Sequence, residues 1–233
     1  MKHTITPVQF NVSEKSGKVG TGHGLSLLML PKEPTYFLLF AHGAGAGMNH
    51  IFMEKMADCL ANEHIATLRY HFPYTEKNKK IPDHASVLIE TVQSAFHVAK
   101  VYAKNLPILA GGKSMGGRMT SMAASNGLLP DVKGIVFFGF PLHAPGKPSG
   151  DRAEHLYQVE VPMLFLQGTK DKLADLTLFR PVLAKLGNKA TLYTVEGADH
   201  SFHLPKASGR NDDDVFKEVA LKVKEWADQS EFL

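Results

Sequence analysis

Residues 106–119 read LPILAGGKSMGGRM, and this stretch decides the fold. Residues 112–116, GKSMG, match the pattern G-x-S-x-G. The apolar residues 106–110 predict a short buried strand before the match, and small residues at 118–126 predict a helix after it. Between a strand and a helix, this pattern lifts a serine hydroxyl above the edge of a sheet. The stretch therefore predicts a tight turn that presents Ser114.

On both sides of this turn, short apolar runs alternate with longer helical patterns. The predicted strands lie at 24–30, 36–41, 65–70, 135–140, 163–167 and 191–195. The predicted helices cover about 83–104, 176–186 and 213–229, with a further helix around 52–60 capped near Asn49, and a short helical pattern near 153–158. Such alternation is typical of the α/β class, with a mostly parallel, doubly wound sheet and helices on both faces. Without a repeat, a low-complexity tract or a linker, we expect a single domain over residues 1–233.

Composition excludes several other classes of protein. The 233 residues carry a net charge of +3, with 44% hydrophobic and 21% charged residues, which is a globular balance. The basic residues are scattered, so we expect no nucleic-acid partner. No apolar run approaches the roughly 20 residues of a membrane span. The single Cys59 excludes an internal disulfide and favours a reducing, cytoplasmic location.

A serine hydroxyl becomes a useful nucleophile only when a base takes its proton, and the chain offers a base and an acid in order. Asp171, in QGTKD, follows one predicted strand, and His200, in EGADHSF, follows the next. The order serine, acid, histidine is that of α/β-hydrolase triads. Asp175 is the alternative acid, although Asp171 lies nearer the strand end. Each of the three residues also has an alternative structural role: Ser114 as a turn residue, Asp171 as a helix cap and His200 as a solvated histidine.

Acyl transfer also needs N–H donors for a developing oxyanion. The N–H of Met115, next to Ser114, is one candidate. The loop HGAGAG at 42–47 resembles the HGGG-type loops of esterases, and Ala44 is our choice for the second donor, with Gly45 next. His42 is interpreted as a structural histidine that orients this loop. The alternative is a flexible turn between a strand and a helix.

Glycine-rich cofactor motifs do not fit the chain. A phosphate-binding loop that ends at residues 112–114 needs its first glycine at Pro107. A dinucleotide fingerprint from Gly43 or Gly45 ends at Met48 or His50 instead of glycine. His200 and His203 have no clustered third ligand for zinc. We therefore expect neither a cofactor nor a metal.

Six segments of the chain carry a resemblance to a known family, which extends from about Tyr36 to the end. They are AHGAGAGMNH, LRYHFPYTE, GGKSMGGRM, FFGFPLHAPGKP, LQGTKD and GADHSF. The chain resembles small α/β-hydrolase-like proteins related to dienelactone hydrolase, in the branch that includes the testis-expressed hydrolase-like proteins and the hydrolase-like domain of a non-specific lethal chromatin-complex subunit. The resemblance implies the α/β-hydrolase fold, with Ser114 as nucleophile, Asp171 as acid and His200 as base. Dienelactone hydrolase itself uses a cysteine nucleophile, so a dienelactone substrate is not expected.

The expected activity is that of a serine hydrolase, which cleaves a small carboxylic ester or related acyl compound through an acyl-enzyme. Only about 20 residues separate the strand at 135–140 from the next strand, too few for a large cap domain, so we expect an open site. One alternative is a hydrolase-like interaction module without turnover. Another is a peptidase or acyltransferase that uses the same triad.

Overall fold

The computed structural model describes residues 3–12 and 22–230, in which eight strands form one sheet. The strands are β1 (Ile5–Val12), β2 (Gly22–Met29), β3 (Tyr36–Ala41), β4 (Ile65–Tyr70), β5 (Ile108–Lys113), β6 (Gly134–Phe138), β7 (Met163–Gly168) and β8 (Ala190–Val195). They lie in the order β1-β2-β4-β3-β5-β6-β7-β8. The β1–β2 and β2–β4 pairs are antiparallel, and all later pairs are parallel. The expected α/β fold with a mostly parallel sheet is confirmed.

Helices connect the strands and cover both faces of the sheet. They are α1 (Ile51–Asn62), α2 (Pro73–Glu76), α3 (Ala85–Ala103), α4 (Met115–Ser125), α5 (Leu176–Leu186) and α6 (Asp212–Gln229). Short 3-10 helices lie at Asp151–Gln158, Gly187–Lys189 and Lys206–Ser208. None of the helices in residues 3–12 and 22–230 combines the length and apolar character needed to cross a bilayer.

The alternation of side chains along β3 explains why the sheet has helices on both faces. All six of its residues are buried, so neither face can be left to water. Phe37 and Leu39 belong to a core that α3, α4 and α5 cover, whereas Leu38 and Phe40 belong to a second core under α1 and α6. The strand therefore has the continuous apolar run that is typical of a central parallel strand.

Several elements differ from the predictions at their ends. The cap of α1, predicted at or near Asn49, is His50, and its ring nitrogen accepts a hydrogen bond from the Phe52 N–H at 3.2 Å. Helix α4 begins at residue 115 rather than 118, because the turn leads directly into it. Strand β1 was not predicted. It pairs only with β2 at the edge of the sheet, and its first three residues are exposed, which weakens the apolar pattern.

The connection between β6 and β7 carries no large cap. Residues 139–162 contain one 3-10 helix, Asp151–Gln158, and otherwise turns and extended backbone. The expected absence of a cap domain is confirmed, and the carboxyl ends of the central strands remain accessible to small molecules.

Candidate active site

Ser114 lies in the tight turn between β5 and α4, with φ +52° and ψ −116°. A non-glycine residue rarely adopts a positive φ, and such backbone strain is often found at functional sites. The turn needs glycine after it, because a Cβ on Gly116 would lie 2.5 Å from the carbonyl oxygens of Ala41 and His42. The helix can start beside β3 only because that side chain is missing.

The structure brings Ser114, Asp171 and His200 together at the carboxyl ends of β5, β7 and β8. The His200 Nε2 atom lies 2.8 Å from the Ser114 Oγ, and its Nδ1 atom lies 2.6 Å from the Asp171 Oδ2. The Asp171 side chain has no exposed surface, whereas 23% of the His200 side chain is exposed. A carboxylate only accepts hydrogen bonds, so the ring proton belongs on Nδ1, and Nε2 is left to accept the serine proton.

The Asp171 carboxylate is held by three donors in all. The Leu173 N–H donates to its Oδ1 at 2.8 Å, and the Gln167 side-chain amide donates to its Oδ2. The side-chain carbonyl oxygen of Gln167 in turn accepts a hydrogen bond from the Phe140 N–H at 3.0 Å. The contact of Gln167 with Asp171 was not predicted from the sequence, although a polar residue in an otherwise apolar strand indicates a buried hydrogen-bond partner.

The loops after β7 and β8 are joined by hydrogen bonds, so the acid and the base lie on connected segments. The Lys170 N–H donates to the Ala198 carbonyl at 2.9 Å. The Thr169 hydroxyl accepts from the Gly197 N–H at 2.8 Å. These contacts fix the distance between the segments that carry Asp171 and His200.

The neighbouring carboxylates have other positions. Asp175, the alternative acid, is the cap of α5 and accepts from the Thr177 N–H at 2.8 Å and its hydroxyl at 2.6 Å. These hydrogen bonds lower the pKa of Asp175. Asp199 accepts from the N–H groups of Ser201 and His203 within its own turn. The ring of His200 makes its hydrogen bonds to Asp171 and Ser114 and not to either of these aspartates.

His42 is buried beneath the glycine-rich loop and contacts it directly. Its Nδ1 donates to the Gly43 carbonyl at 2.8 Å, and its Nε2 accepts from the Phe72 N–H at 3.2 Å. Burial lowers the pKa of His42 to about 4, so the ring is neutral near pH 7 and keeps this pattern of donor and acceptor. This arrangement agrees with our interpretation of His42 as a structural histidine.

The two candidate oxyanion donors are Met115, which follows Ser114 in the chain, and Ala44, which lines the same cavity as Ser114. Met115 is the first residue of α4, so its N–H has no acceptor within the helix. Ala44 is exposed, and its N–H donates no backbone hydrogen bond within residues 3–12 and 22–230. Gly43, next to Ala44, packs against the turn of Ser114, since a Cβ on it would lie 3.6 Å from the Ser114 Cβ.

A cavity of about 350 Å³ opens at Ser114. Its apolar walls are Ala44, Ala46, Phe52, Met53 and Leu173. Its polar lining, besides Ser114, consists of His50, Lys113, Ser201 and His200. An apolar cleft of this size with a few polar groups is the usual form of a small-molecule site.

The described residues contain no cluster of three or more His, Cys, Asp and Glu side chains arranged to hold a metal ion. His203, the residue after the GADHSF segment, pairs with Asp212 at 3.0 Å, and this contact raises the pKa of His203. His200 and His203 therefore have different carboxylate partners.

Comparison with known proteins agrees with this architecture. A family model described as an alpha/beta hydrolase domain matches residues 34–228. Among solved structures, the chain is similar to a dienelactone hydrolase from Anabaena variabilis, with 20% identity, a TM-score of 0.73 and 97% of each chain covered. It is also similar to an alpha-beta serine hydrolase homologue from Coxiella burnetii, with 17% identity, a TM-score of 0.72, and 95% of this chain and 98% of that one covered.

A third similar structure bears on the missing cap. It comes from Xanthomonas campestris and is described as a member of a/b serine hydrolase without lid. The identity is 16%, the TM-score is 0.70, and 97% of this chain and 96% of that one are covered. At such identities the neighbours show a shared fold, and the family model covers most of the chain. The chain therefore belongs to the alpha/beta hydrolase domain family, and it is a hydrolase related in fold to dienelactone hydrolase.

Proposed function

We propose that this protein is a serine esterase that cleaves small carboxylic esters through an acyl-enzyme. The observation that supports this most is the continuous hydrogen-bond chain from Ser114 through His200 to Asp171, at 2.8 Å and 2.6 Å. An activated serine requires a base within hydrogen-bond reach and a third group that orients the base. Both conditions are met here, and Ser114 and His200 line the same accessible cavity.

The proposed reaction begins with attack of the Ser114 Oγ on the ester carbonyl carbon. As the C–O bond forms, the serine proton moves to the His200 Nε2, and Asp171 stabilises the resulting imidazolium. The tetrahedral intermediate collapses, the bond to the alcohol oxygen breaks, and His200 returns the proton to that oxygen. Water then attacks the acyl-enzyme with the same base and releases the carboxylic acid.

We assign the oxyanion donors to the N–H groups of Ala44 and Met115. Met115 follows Ser114 in the chain, and Ala44 lines the same cavity as Ser114. The N-terminus of α4 adds a partial positive charge next to Ser114. His42 keeps the loop of Ala44 in place through its bond to Gly43. Pre-arranged donors of this kind stabilise the charge that develops during acyl transfer.

The cavity favours a short acyl group. Its volume of about 350 Å³ is at the lower end of the range for ligand sites, and Phe52 and Met53 occupy one wall. We expect acetyl and butyryl esters to react with higher kcat/KM than octanoyl esters. Because no cap covers the site, the alcohol portion of the ester can vary widely.

The proposal is tested with purified protein, a chromogenic ester series and a fluorophosphonate probe. We expect one probe to attach per folded chain, at Ser114, and we expect Ser114→Ala to abolish both labelling and ester hydrolysis. Ser201→Ala is a matched control, because Ser201 lines the same cavity and is assigned no catalytic role. Labelling at another serine, or undiminished hydrolysis by Ser114→Ala, would overturn the assignment. A folded protein that neither labels nor hydrolyses any ester would point to the interaction module instead.

A further inference from the structure

Lys113 stands immediately before the candidate nucleophile, and its side chain extends to the histidine loop. Its ammonium donates a hydrogen bond to the backbone carbonyl of His200. The Nζ atom also lies 5.6 Å from the ring centroids of both Phe52 and Phe202. These two rings stack on each other with their centroids 6.1 Å apart. The Lys113 side chain thus contacts both the backbone of His200 and the rings of Phe52 and Phe202.

The turn that carries His200 has an unusual backbone. Phe202 has a φ of +63°, which a bulky residue rarely adopts, so its surroundings must hold it. The Asp199 carboxylate closes the turn from the outside by accepting from the N–H groups of Ser201 and His203, at 2.7 Å and 3.0 Å. Lys113 holds the same turn from the inside. Space for its ammonium depends on Gly139, where a Cβ would lie 2.9 Å from Nζ.

We propose that Lys113 is a positioning residue, whose ammonium holds the His200 peptide so that the His200 Nε2 stays within hydrogen-bond distance of the Ser114 Oγ. A charged donor makes a stronger hydrogen bond than a neutral one, and a cation close to aromatic rings adds further attraction. Fixing the base in this way favours proton transfer more than it favours binding of the ester. This inference rests on the proposed esterase function.

The charge state of Lys113 gives the proposal a measurable signature. Burial lowers the pKa of Lys113 to about 8, although the negative charges of Asp171 and Asp199 raise it. The other titratable groups that line the same cavity are His200 and His50. The ammonium is therefore present below about pH 8, and the charge-assisted bond and the cation–π contacts weaken as the proton is lost above it.

The test compares pH profiles of kcat for a short ester in the wild type, Lys113→Met and Lys113→Arg, from about pH 6 to about pH 10. The wild type should lose activity above about pH 8. Methionine, which is similar in length and uncharged, should lower kcat about tenfold near pH 7, change KM less than about threefold, and remove the decline. Arginine, which keeps its charge, should restore kcat and move the decline to higher pH.

Lys189→Met is the matched control. Lys189 also donates to a backbone carbonyl, that of Val159 at 2.8 Å. It lies at the amino end of β8, however, whereas Lys113 lies at the carboxyl end of β5. Lys189→Met should leave the pH profile unchanged. A Lys113→Met enzyme with wild-type kcat and an unchanged pH profile would overturn the proposal, as would an arginine variant no better than methionine. If methionine prevents folding, the wild-type and arginine profiles still decide, since coincident profiles contradict the inference.

The two proposals fail in different ways. If hydrolysis persists in Ser114→Ala, the esterase assignment is wrong. If Ser114→Ala is inactive and labelling requires the folded protein, but the Lys113 variants behave as the wild type, only the role of Lys113 is wrong. Far-ultraviolet circular dichroism of each variant separates loss of fold from loss of positioning.

Discussion

At the scale of single residues, Asp171 and Asp175 show how the surroundings give two like carboxylates different roles. Asp171 is buried and contacts a ring nitrogen and two N–H donors. Asp175 is bound to the first turn of α5 through Thr177. The first carboxylate can orient a base during reaction, whereas the second satisfies N–H groups that the helix cannot satisfy itself.

We predict that Asp171→Asn lowers kcat by at least about a hundredfold with little change in fold. The amide can donate to the His200 Nδ1 side and so favours the wrong tautomer, and it cannot stabilise an imidazolium. Steady-state kinetics on a short ester, together with a thermal unfolding curve, checks this. A decrease of less than about fivefold would contradict the role assigned to Asp171.

Asp175→Asn is the matched control for that experiment. Asparagine is as good a helix cap as aspartate, so the unfolding free energy should change by less than about 0.5 kcal/mol. We also expect kcat to stay within about twofold of the wild type, because the Asp175 side chain is exposed and makes no contact with the His200 ring. If this variant were the inactive one, the acid would have to be reassigned to it.

Chain order was enough to predict that Asp171 and His200 come together with Ser114. Asp171 and His200 each follow a strand of a parallel sheet, and such strand ends meet at one edge. The contacts of Gln167 and Lys113 were not predicted. They join residues from different strands and loops, so they depend on strand order and side-chain direction, which the sequence pattern does not contain.

At the scale of elements, the closeness of α4 to β3 is set by glycine. We predict that Gly116→Ala destabilises the protein by about 2 kcal/mol or more and abolishes esterase activity, because the new methyl group would contact two carbonyl oxygens at 2.5 Å. Relief of this overlap must move the start of α4, and with it Ser114 and the Met115 N–H. Urea unfolding and fluorophosphonate labelling measure the two effects.

Gly150→Ala makes a suitable control for that substitution. Its nearest neighbour would be a Val182 methyl group 4.0 Å away, and its φ of −92° suits any residue. The unfolding free energy should therefore stay within about 0.5 kcal/mol of the wild type, with unchanged labelling. Equal tolerance of both substitutions would show that the turn is less constrained than its geometry indicates.

Two strands that are buried on both sides were predicted with their observed bounds. Strands β3 and β4 have the predicted bounds, because a fully buried strand has a continuous apolar run. Strand β1 lacks that pattern, since it lies at the edge of the sheet. The start of α4 was placed three residues late because Gly116 and Gly117 have low helix propensity, which tertiary packing overrides here.

At the scale of the whole molecule, two histidines make stability depend on pH. Burial lowers the pKa of both His42 and His155 from 6.5 to about 4, so the unfolded chain binds more protons than the native protein between these values. Stability therefore falls as pH decreases through this range. Each histidine should cost about 2 kcal/mol of unfolding free energy between pH 7 and pH 5.

We expect His155→Gln to lose less stability than the wild type over the same pH interval. Glutamine keeps a hydrogen-bonding group near the Ser121 hydroxyl, which lies 2.7 Å from the His155 Nε2, but it does not titrate. Denaturant unfolding at the two pH values gives the difference directly. A variant with the pH dependence of the wild type would show that His155 is not a source of it.

The short connection between β6 and β7 has a kinetic consequence for a hydrolase of this shape. Enzymes whose sites lie beneath a mobile cover must open before a water-insoluble ester can enter, and a lipid–water interface can promote that opening. Residues 139–162 form no such cover. The rate of hydrolysis should therefore follow a smooth hyperbola as the ester concentration passes the point at which the ester forms micelles, with no interfacial activation.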